Sequence, residues 1–230
     1  LAIPPRQIRE RLRDLAPLVT PGMFVTDVGS VKSAIVAQGE RCLPETALFV
    51  GSHPMAGSEK TGVEYSRSDF YESSATILTP TDKTPLEALT LASRFWQALG
   101  SRLIIASPGR HDQLLAGISH LPHLTASALM QTLVRHLASP TELGAVAGGG
   151  LRDTTRIAAA DPDLWKQIFT ENAPNLVQCL DQYITILQEW REMLDKSTPD
   201  TKKLGETCDE GRQARLGLNE PHDGGQASGE

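Results

Sequence analysis

The sequence has few aromatic residues, no long apolar run and no excess of positive charge. Aromatic residues make up 5% of its 230 residues, so a core must be built from Leu, Ile, Val and Ala, and the chain is long enough to bury one. Its apolar runs are shorter than the ~18 residues that a membrane span needs, which predicts no membrane segment. The net charge of −6 argues against a broad surface for nucleic acid.

Cysteine is also scarce, and an initiator methionine is absent. Cys42, Cys179 and Cys208 are odd in number and far apart, which matches neither a disulfide framework nor a zinc site. We therefore predict a cytoplasmic protein that holds no metal. The first segment, LAIPPRQIRE, has no secretory-signal pattern. Residues 1–3 resemble the end of a strand, so we interpret the chain as a fragment of a longer protein.

Apolar periodicity predicts two domains and a tail. Strand-like runs alternate with helical patterns through residues 1–107, which predicts an α/β domain with a covered, parallel sheet. Residues 108–196 predict an all-helical domain, whose last helix (172–194) has an apolar stripe typical of packing against another helix or subunit. Residues 197–230 are polar, which predicts a disordered tail. The predicted strands are 23–28, 47–52, 75–80 and 102–107, and the helices between them are 6–19, 31–38 and 84–100.

The segment FVGSHPMAGSEKTG (49–62) places a histidine directly after a strand. In an open parallel sheet, ligands bind beyond the carboxyl ends of the strands, and His53 would reach that edge. Small residues around it, such as Gly51 and Ala56, would leave room for a ligand. Ser30 follows the preceding strand in TDVGSVK and would reach the same edge, where its hydroxyl can orient an imidazole. The alternative for His53 is a turn histidine bonded to backbone. A nucleophilic Ser30 is disfavoured because no G-x-S-x-G elbow surrounds it.

The segment HDQLLAGISHLPH supplies Asp112, His120 and His123. Two histidines spaced H-x-x-H on a helix can bind a metal, but no third ligand has a matching spacing and the segment is rich in leucine. We therefore predict that these histidines line a polar pocket between the two domains.

Residues 148–165, GGGLRDTTRIAAADPDLW, combine glycine with arginine. The triple glycine lacks the Gly-Lys-Ser/Thr of a P-loop, so a tight turn between helices is predicted. Arg152 and Arg156 are four residues apart and share a helix face. A buried arginine requires a carboxylate, whereas on the surface it is a solvated charge. The residues alone thus indicate an α/β-plus-helical enzyme with histidine, serine and arginine at an interdomain cleft.

Together these segments resemble the prephenate/arogenate dehydrogenase family, the oxidoreductases of tyrosine biosynthesis. DVGSVK, GSHPMAGSEKTGVEYS, HD…SHLPH and GGGLRDTTRIA…DPDLW occur in family order and spacing over nearly all of residues 1–196. The resemblance implies the C-terminal part of a Rossmann-like parallel-sheet domain, followed by a helical dimerisation domain and hence a homodimer. It also implies the oxidative decarboxylation of prephenate or arogenate with NAD or NADP, of which we favour NAD.

The resemblance assigns roles to individual residues. It implies that His53 is the general base for the substrate hydroxyl, that Ser30 orients His53 and contacts the nicotinamide, and that Arg156 binds a substrate carboxylate. Asp112 would form an ion pair with Arg156. The other residues implied at the substrate are His120, His123, Ser58, Glu59 and Trp165. The Glu59–Lys60 pair resembles members that prefer prephenate.

One feature of the family is absent from the sequence. The family binds its dinucleotide with a G-x-G-x-x-G turn, and no such turn occurs here. Only Ser30 and Pro4 are then implied at the cofactor, so the chain alone is predicted to bind its cofactor weakly and to have low activity or none. Two alternatives remain, a non-catalytic helical dimer of the same family and another Rossmann-plus-helical dehydrogenase that acts on a hydroxy acid.

Overall fold

The computed structural model describes residues 1–56, 65–195 and 199–218. Within these residues the chain forms five short strands and ten α-helices, none of them long and apolar enough to cross a membrane. The strands are β1 (Phe24–Val25), β2 (Leu48–Phe49), β3 (Gly51–Pro54), β4 (Ala75–Thr79) and β5 (Arg102–Ile105). The helices are α1 (Pro5–Leu15), α2 (Ser33–Cys42), α3 (Leu86–Ala98), α4 (Pro108–Leu115), α5 (Leu121–His136), α6 (Pro140–Val146), α7 (Gly149–Thr155), α8 (Pro162–Glu171), α9 (Ala173–Leu194) and α10 (Thr201–Gly217).

The strands form one parallel pair and one three-stranded sheet. β1 pairs with β2 in parallel, and β4 pairs with β5 in parallel. β3 pairs with β4 antiparallel, with His53 opposite Ile77, which differs from the wholly parallel sheet predicted. The reason is the connection: no helical pattern is predicted between residues 54 and 75, and parallel pairing needs a crossover that is usually a helix.

One apolar cluster packs α1 and α2 against the first two strands. Ile8 and Leu12 lie four residues apart on α1 and are completely buried. Pro5 fits the first turn of α1, where a backbone N–H has no helical partner. On α2, a Cβ at Gly39 would lie 2.3 Å from the ring of Phe49. Glycine at this position is therefore what lets α2 pack directly on β2.

A buried tryptophan on α3 positions β3. Trp96 is 2% exposed, and its indole N–H donates to the hydroxyl of Ser52 at 3.1 Å. The same hydroxyl lies 2.7 Å from Oγ1 of Thr26, beside β1. Because Ser52 precedes His53 on β3, these bonds fix the strand that carries His53.

The chain divides into two compact units, Leu1–Cys179 and a second unit that begins at Leu180. This division differs from the boundary predicted at residue 107, because α8 packs against α1. Ile168 belongs to the same buried cluster as Ile8, and the Arg9 guanidinium pairs with the Glu171 carboxylate at 3.0 Å. The helical segment up to α8 is therefore part of the first unit.

A π-helical turn, Ala116–His120, separates α4 from α5 within the region predicted to be all-helical. Pro122 has no N–H, and in a continuous α-helix its ring would clash with the carbonyl of Ile118. The wider turn accommodates this proline and changes the direction of His120, which is 1% exposed.

The prediction of a disordered tail is wrong for residues 201–217, which form α10 in the second unit. At its start the Asp200 carboxylate accepts the backbone N–H of Lys203 at 3.1 Å. Lys202 and Glu206 form an ion pair one turn apart, at 3.7 Å. The segment has few apolar residues, but Lys, Glu, Gln and Arg have high helix propensity, so a polar composition alone did not imply disorder.

A buried ion pair joins the end of β1 to the start of α2. Lys32 and Asp27 are both 0% exposed, and the Lys32 ammonium donates to the Asp27 carboxylate. The ammonium also donates to the Ser52 carbonyl at 2.8 Å, and the Gly29 N–H donates to Asp27 at 2.8 Å. Burial lowers the pKa of Lys32, and the charge of Asp27 opposes that shift. Each charge is thus compensated where desolvation is most costly.

We expect this pair to matter greatly for stability. The variant Lys32→Met leaves the Asp27 carboxylate buried without a counter-charge, and the free energy of unfolding should fall by about 3–5 kcal/mol. The double variant Asp27→Asn, Lys32→Met should recover part of that loss, as measured by urea denaturation. The control is Arg11→Met, whose side chain and that of its partner Asp14 are 64% and 62% exposed.

Loss of this exposed pair should change the free energy of unfolding by less than about 1 kcal/mol. A loss in Lys32→Met no larger than in Arg11→Met would contradict the expectation.

Candidate active site

A cavity of about 410 Å³ lies in the first unit where β1 and β3 end. It is bounded by the π-helical turn, by the start of α5 and by α8. Of the residues predicted at the site, those that line it are Ser30, His53, His120, His123, Arg156 and Trp165. The fold therefore brings together side chains that are up to 135 positions apart in the sequence, between Ser30 and Trp165.

His53 is held by a second histidine that was not predicted. Nδ1 of His53 lies 2.8 Å from Nε2 of His111, and Nδ1 of His111 lies 2.8 Å from Oδ1 of Asp112. His111 is completely buried at the start of α4, and His53 is 8% exposed. Among the described residues the hydrogen bond of the His53 ring is therefore made with His111, while Ser30, which was predicted to orient that ring, lines the same cavity.

The predicted ion pair between Asp112 and Arg156 is wrong. Oδ1 of Asp112 accepts the backbone N–H of Lys32 at 2.7 Å, and Oδ2 accepts that of Ser33 at 2.8 Å. Together with His111, these donors at the N-terminus of α2 use both oxygens of the carboxylate. Burial acts to raise the pKa of Asp112, but the hydrogen bonds from His111, Ser33 and Lys32 outweigh it and the pKa is lowered. Asp112 is therefore a carboxylate that caps a helix.

His53 is neutral around pH 7 because of where it lies. Burial lowers its pKa well below 6.5. Electrostatic interactions with His111, Lys32 and His120 disfavour a proton on His53 and lower the pKa further. Asp112 acts in the opposite direction and is outweighed. A neutral imidazole has a lone pair on one ring nitrogen, which is what a proton acceptor requires.

His120 is also neutral, and its hydrogen bonds define which nitrogen carries the proton. Burial lowers the pKa of His120 to about 4. The amide nitrogen of Asn172 donates to the Asp112 carbonyl at 2.7 Å and lies 3.1 Å from Nδ1 of His120. The amide oxygen of Asn172 accepts from Asn175 at 2.8 Å, which fixes the orientation of the amide. Nδ1 of His120 is therefore an acceptor, and Nε2–H is a buried donor with no partner in the described chain.

Trp165 and His123 form a stacked wall of the cavity. Their ring centroids are 3.6 Å apart and the rings are 13° from parallel. Burial lowers the pKa of His123, and its Nδ1 is buried without a partner among the described residues. One face of Trp165 is thus covered by His123, so a ligand ring would meet the edges of this stack or its outer face.

Arg156 lines the cavity and is exposed, at the first position of a 3-10 turn that follows α7. Arg152, predicted on the same helix face, instead donates to the carbonyls of Ala147 and Gly144 at 3.2 and 3.3 Å. It closes the end of α6. Gly148 lies in the short connection to α7, whereas the next two glycines form the first turn of that helix, so only one glycine of the three lies in the predicted turn. Only Arg156 of the two is positioned at the cavity.

Other predicted positions differ in outcome. Ala56 lines the cavity, but the space at Gly51 is filled by the protein, since a Cβ there would lie 2.6 Å from Thr79 and 2.8 Å from Val36. Gly51 therefore serves packing and does not make room for a ligand, contrary to the prediction. Ser58 and Glu59 lie outside the described residues.

Pro4 precedes α1, and the 1–4 segment runs beside the end of β1, where the Val28 N–H donates to the Leu1 carbonyl at 3.2 Å. Pro4 and Ser30 thus lie near the same end of β1. In the part of the chain that the structure describes, no three His, Cys, Asp or Glu residues are grouped to hold a metal ion.

Four buried polar residues at this site were missed from the sequence. They are Asp27, Lys32, His111 and Asn172. His111 precedes Asp112 directly, and a carboxylate next to a histidine was a usable signal. The buried Lys32 had no such signal, because a lysine in a helical pattern is expected on the surface.

Two family models match the chain. One describes the nucleotide-binding domain of prephenate dehydrogenase and matches residues 1–105, and the other describes its dimerization domain and matches residues 107–209. The chain is also 34% identical to cyclohexadienyl dehydrogenase from Zymomonas mobilis, over 97% of the chain and 75% of that protein. The chain belongs to the prephenate dehydrogenase family. The predicted family and fold class are thereby confirmed.

Other relatives give the extent of the match. Prephenate dehydrogenase from Bacillus subtilis is 32% identical over 85% of the chain, which spans 53% of that protein. The structure of prephenate dehydrogenase from Aquifex aeolicus in complex with hydroxyphenyl propionate and NAD+ superposes with a TM-score of 0.87 and 37% sequence identity. The match covers 95% of this chain and 75% of the Aquifex chain. Arogenate dehydrogenase from Synechocystis is 28% identical with a TM-score of 0.78, covering 94% and 77%.

The buried histidines predict how stability depends on pH. His53, His120 and His123 have lowered pKa values in the folded chain, whereas in the unfolded chain they protonate near 6.5. The unfolded state then binds more protons, so the free energy of unfolding should fall as the pH drops from 6.5 towards about 4, the pKa of His120. Urea denaturation across this range measures the slope.

The variant His120→Asn should make that slope shallower. The control His136→Asn, at the exposed end of α5, should leave it unchanged. A free energy of unfolding that does not vary between these pH values would contradict the assignment of three neutral histidines.

Proposed function

We propose that the chain carries the active site for the oxidative decarboxylation of prephenate, or of arogenate, with NAD as the hydride acceptor. The observation that carries this proposal is the buried, neutral His53 in one cavity with Arg156 and the donor His120. The substrate has a hydroxyl on a ring carbon, from which a hydride leaves, and a ring carboxylate that departs as CO2. This chemistry needs a proton acceptor at the hydroxyl and donors at carboxylates.

His53 fits the role of proton acceptor. As the hydride leaves, the ring oxygen takes on carbonyl character and its proton passes to the imidazole. The bond to the departing carboxylate then breaks, its electron pair makes the ring aromatic, and the proton can return to the phenol oxygen. A neutral imidazole suits both transfers near pH 7.

Arg156 and His120 fit the recognition of the substrate's carboxylates. Arg156 supplies a full charge and a two-pronged donor, and His120 Nε2–H supplies a neutral donor whose present lack of a partner would be relieved by a ligand oxygen. The ring carboxylate must leave, so strong binding of that group in the ground state would slow the reaction. We therefore propose that Arg156 binds the other carboxylate of the substrate, the one on the side chain attached to its ring. The stack of His123 and Trp165 would contact the rest of the substrate.

The chain supplies residues for only one end of the cofactor. NAD would take up the hydride when bound. Ser30 and Pro4, near the end of β1, are the residues that would lie at its nicotinamide end, and the sequence holds no G-x-G-x-x-G turn for its phosphates. Three further points remain predictions. They are the preference for NAD over NADP, the preference for prephenate over arogenate through Glu59 and Lys60, and a cytoplasmic location.

Binding and turnover test the proposal separately. Hydroxyphenyl propionate should quench the fluorescence of Trp165, and the variant Trp165→Phe should lose that change. Turnover is measured with prephenate and arogenate, each with NAD and NADP. Binding without turnover would favour the non-catalytic alternative, turnover of a simple hydroxy acid would favour the other dehydrogenase, and neither binding nor turnover would contradict the proposal.

The pH dependence of turnover tests the role of His53. The base must be neutral, and the pKa of His53 is lowered well below 6.5, so kcat/KM should decline with acid only below that pH. The variant His53→Asn should lower kcat by about 10²–10⁴-fold, the contribution of a general base, and abolish this decline. His136→Asn is the matched control. A decline centred above pH 6.5, or an active His53→Asn variant, would refute the assignment.

A homodimer through the helical domain is also proposed. On α9, Ile184 and Leu187 are 42% and 47% exposed in the single chain, and both lie in the segment that matches the dimerization-domain model. The variant Leu187→Glu should shift the mass measured by light scattering from dimer to monomer, because a buried carboxylate would have no partner. The neighbouring exposed Gln188→Glu should leave the dimer intact. An unchanged dimer in both variants would place the interface elsewhere.

A further inference from the structure

We propose that Asp112 and His111 are positioning residues that fix the tautomer of His53, so that Nδ1 of His53 carries the hydrogen and Nε2 presents its lone pair to the cavity. The mechanistic value of this arrangement rests on the proposed function, but its geometry does not. The chain of contacts runs from the start of α2, through the carboxylate and the two imidazoles, to the cavity wall.

The first step concerns Asp112. Both of its oxygens accept backbone N–H groups, from Lys32 and Ser33, which can only donate. A carboxyl hydrogen on either oxygen would compete with those donors, so Asp112 is an acceptor throughout. The contact of 2.8 Å to Nδ1 of His111 must then be an N–H donated by the histidine.

The second step concerns the contact between the two rings. A single hydrogen lies between Nε2 of His111 and Nδ1 of His53, which are 2.8 Å apart. If His111 supplied it, both ring nitrogens of His111 would carry hydrogen and the ring would be a cation in a completely buried position. A full charge on this completely buried ring would carry a large desolvation cost, and the Asp112 carboxylate beside it already accepts two backbone N–H groups, so the hydrogen between the rings belongs to His53 and His111 accepts it.

The third step concerns the free nitrogen. With Nδ1 of His53 donating to His111, Nε2 is the nitrogen available to a ligand in the cavity that His53 lines. A neutral imidazole protonated on Nδ1 has its lone pair on Nε2. A substrate hydroxyl can therefore transfer its proton to Nε2, the O–H bond breaking as the N–H bond forms. The opposite tautomer would present an N–H to the hydroxyl and could not act as a base.

If Asp112 and His111 had only a structural role, their replacement would not change which nitrogen of His53 carries the hydrogen. Asp112 joins α4 to α2 and would stabilise the fold whichever nitrogen of His53 were protonated. The groups that surround His53 and influence its charge are His111, Lys32, His120 and Asp112. Of these, His111 alone hydrogen-bonds the His53 ring among the described residues, so it is the residue through which the tautomer is set.

The tautomer is measured directly by 15N nuclear magnetic resonance of the histidine-labelled chain, at about pH 7.5 where an ordinary imidazole is neutral. The two ring nitrogens have well-separated shifts when one carries hydrogen and the other does not, and His53→Asn assigns the signals. We expect hydrogen on Nδ1 of both His53 and His111. Hydrogen on Nε2 of His53, with a bare Nδ1, would overturn the proposal, and this measurement needs no variant of His111 or Asp112 to fold.

Two variants of His111 then separate positioning from packing. The variant His111→Phe fills the space but accepts nothing, so His53 should populate both tautomers, and kcat should fall by about 10²-fold with KM little changed. The variant His111→Gln can place an amide oxygen near the former Nε2 and should restore the single tautomer and much of kcat. His136→Phe should change neither. A wild-type tautomer in His111→Phe would overturn the proposal.

These outcomes are distinct from a failure of the proposed function. If the tautomer is as expected and substrates are neither bound nor turned over, the positioning of His53 stands and the assigned reaction does not. If turnover is observed with hydrogen on Nε2 of His53, the reaction stands and the positioning does not.

Discussion

The carboxylate of Asp112 is the contact on which the site depends. It accepts two backbone N–H groups at the start of α2 and one imidazole N–H from α4, so it joins the α/β part of the first unit to its helical part. A negative charge at a helix N-terminus is stabilised by the unpaired N–H groups there. Because the same carboxylate holds His111, the position of the His53 ring is tied to the packing of two helices.

Burial determines the chemistry available around that contact. Burial lowers the pKa values of Lys32, His53 and His120, but of the three only Lys32 has a carboxylate hydrogen-bonded to it in the described part of the chain, and the charge of that carboxylate opposes the shift. The cavity therefore contains one lone pair and one N–H donor as neutral groups beside the charge of Arg156. Such a wall can exchange a proton with a ligand and orient an anion without binding a departing carboxylate too strongly.

The sequence was sufficient for the parts of the site that depend on strand ends and on motif order. Ser30 follows β1, and His53 was predicted to follow a strand but lies within β3, near its end. His120, Arg156 and Trp165 lie in segments that resemble the family, so all five were predicted and all line the cavity. Pairings between side chains were not predictable in this way. Asp112 accepts backbone N–H groups at the start of α2, and this contact exists because α4 packs on α2. Such packing cannot be read from the sequence around Asp112.

Two features of the fold were beyond the sequence for similar reasons. The antiparallel pairing of β3 with β4 depends on the path of a connection that has no apolar periodicity. The helix α10 is stabilised by propensity and local ion pairs, which a search for buried faces does not detect. The strand pairing depends on a contact between distant segments, and α10 depends on local propensity and ion pairs. Neither produces a periodic pattern of apolar residues.

The π-helical turn at Ala116–His120 has a consequence for how this segment can change by insertion and deletion. Such a turn contains one residue more than an α-helical turn, and each residue of an α-helix rotates the chain by about 100°. Removing a single residue here would shorten it to an α-helical turn, in which the ring of Pro122 would clash with the carbonyl four residues before it. It would also rotate every later side chain of α5 away from its present direction, and His123 with it. The length of this short turn, as much as the identity of its histidines, sets which face of α5 the cavity meets.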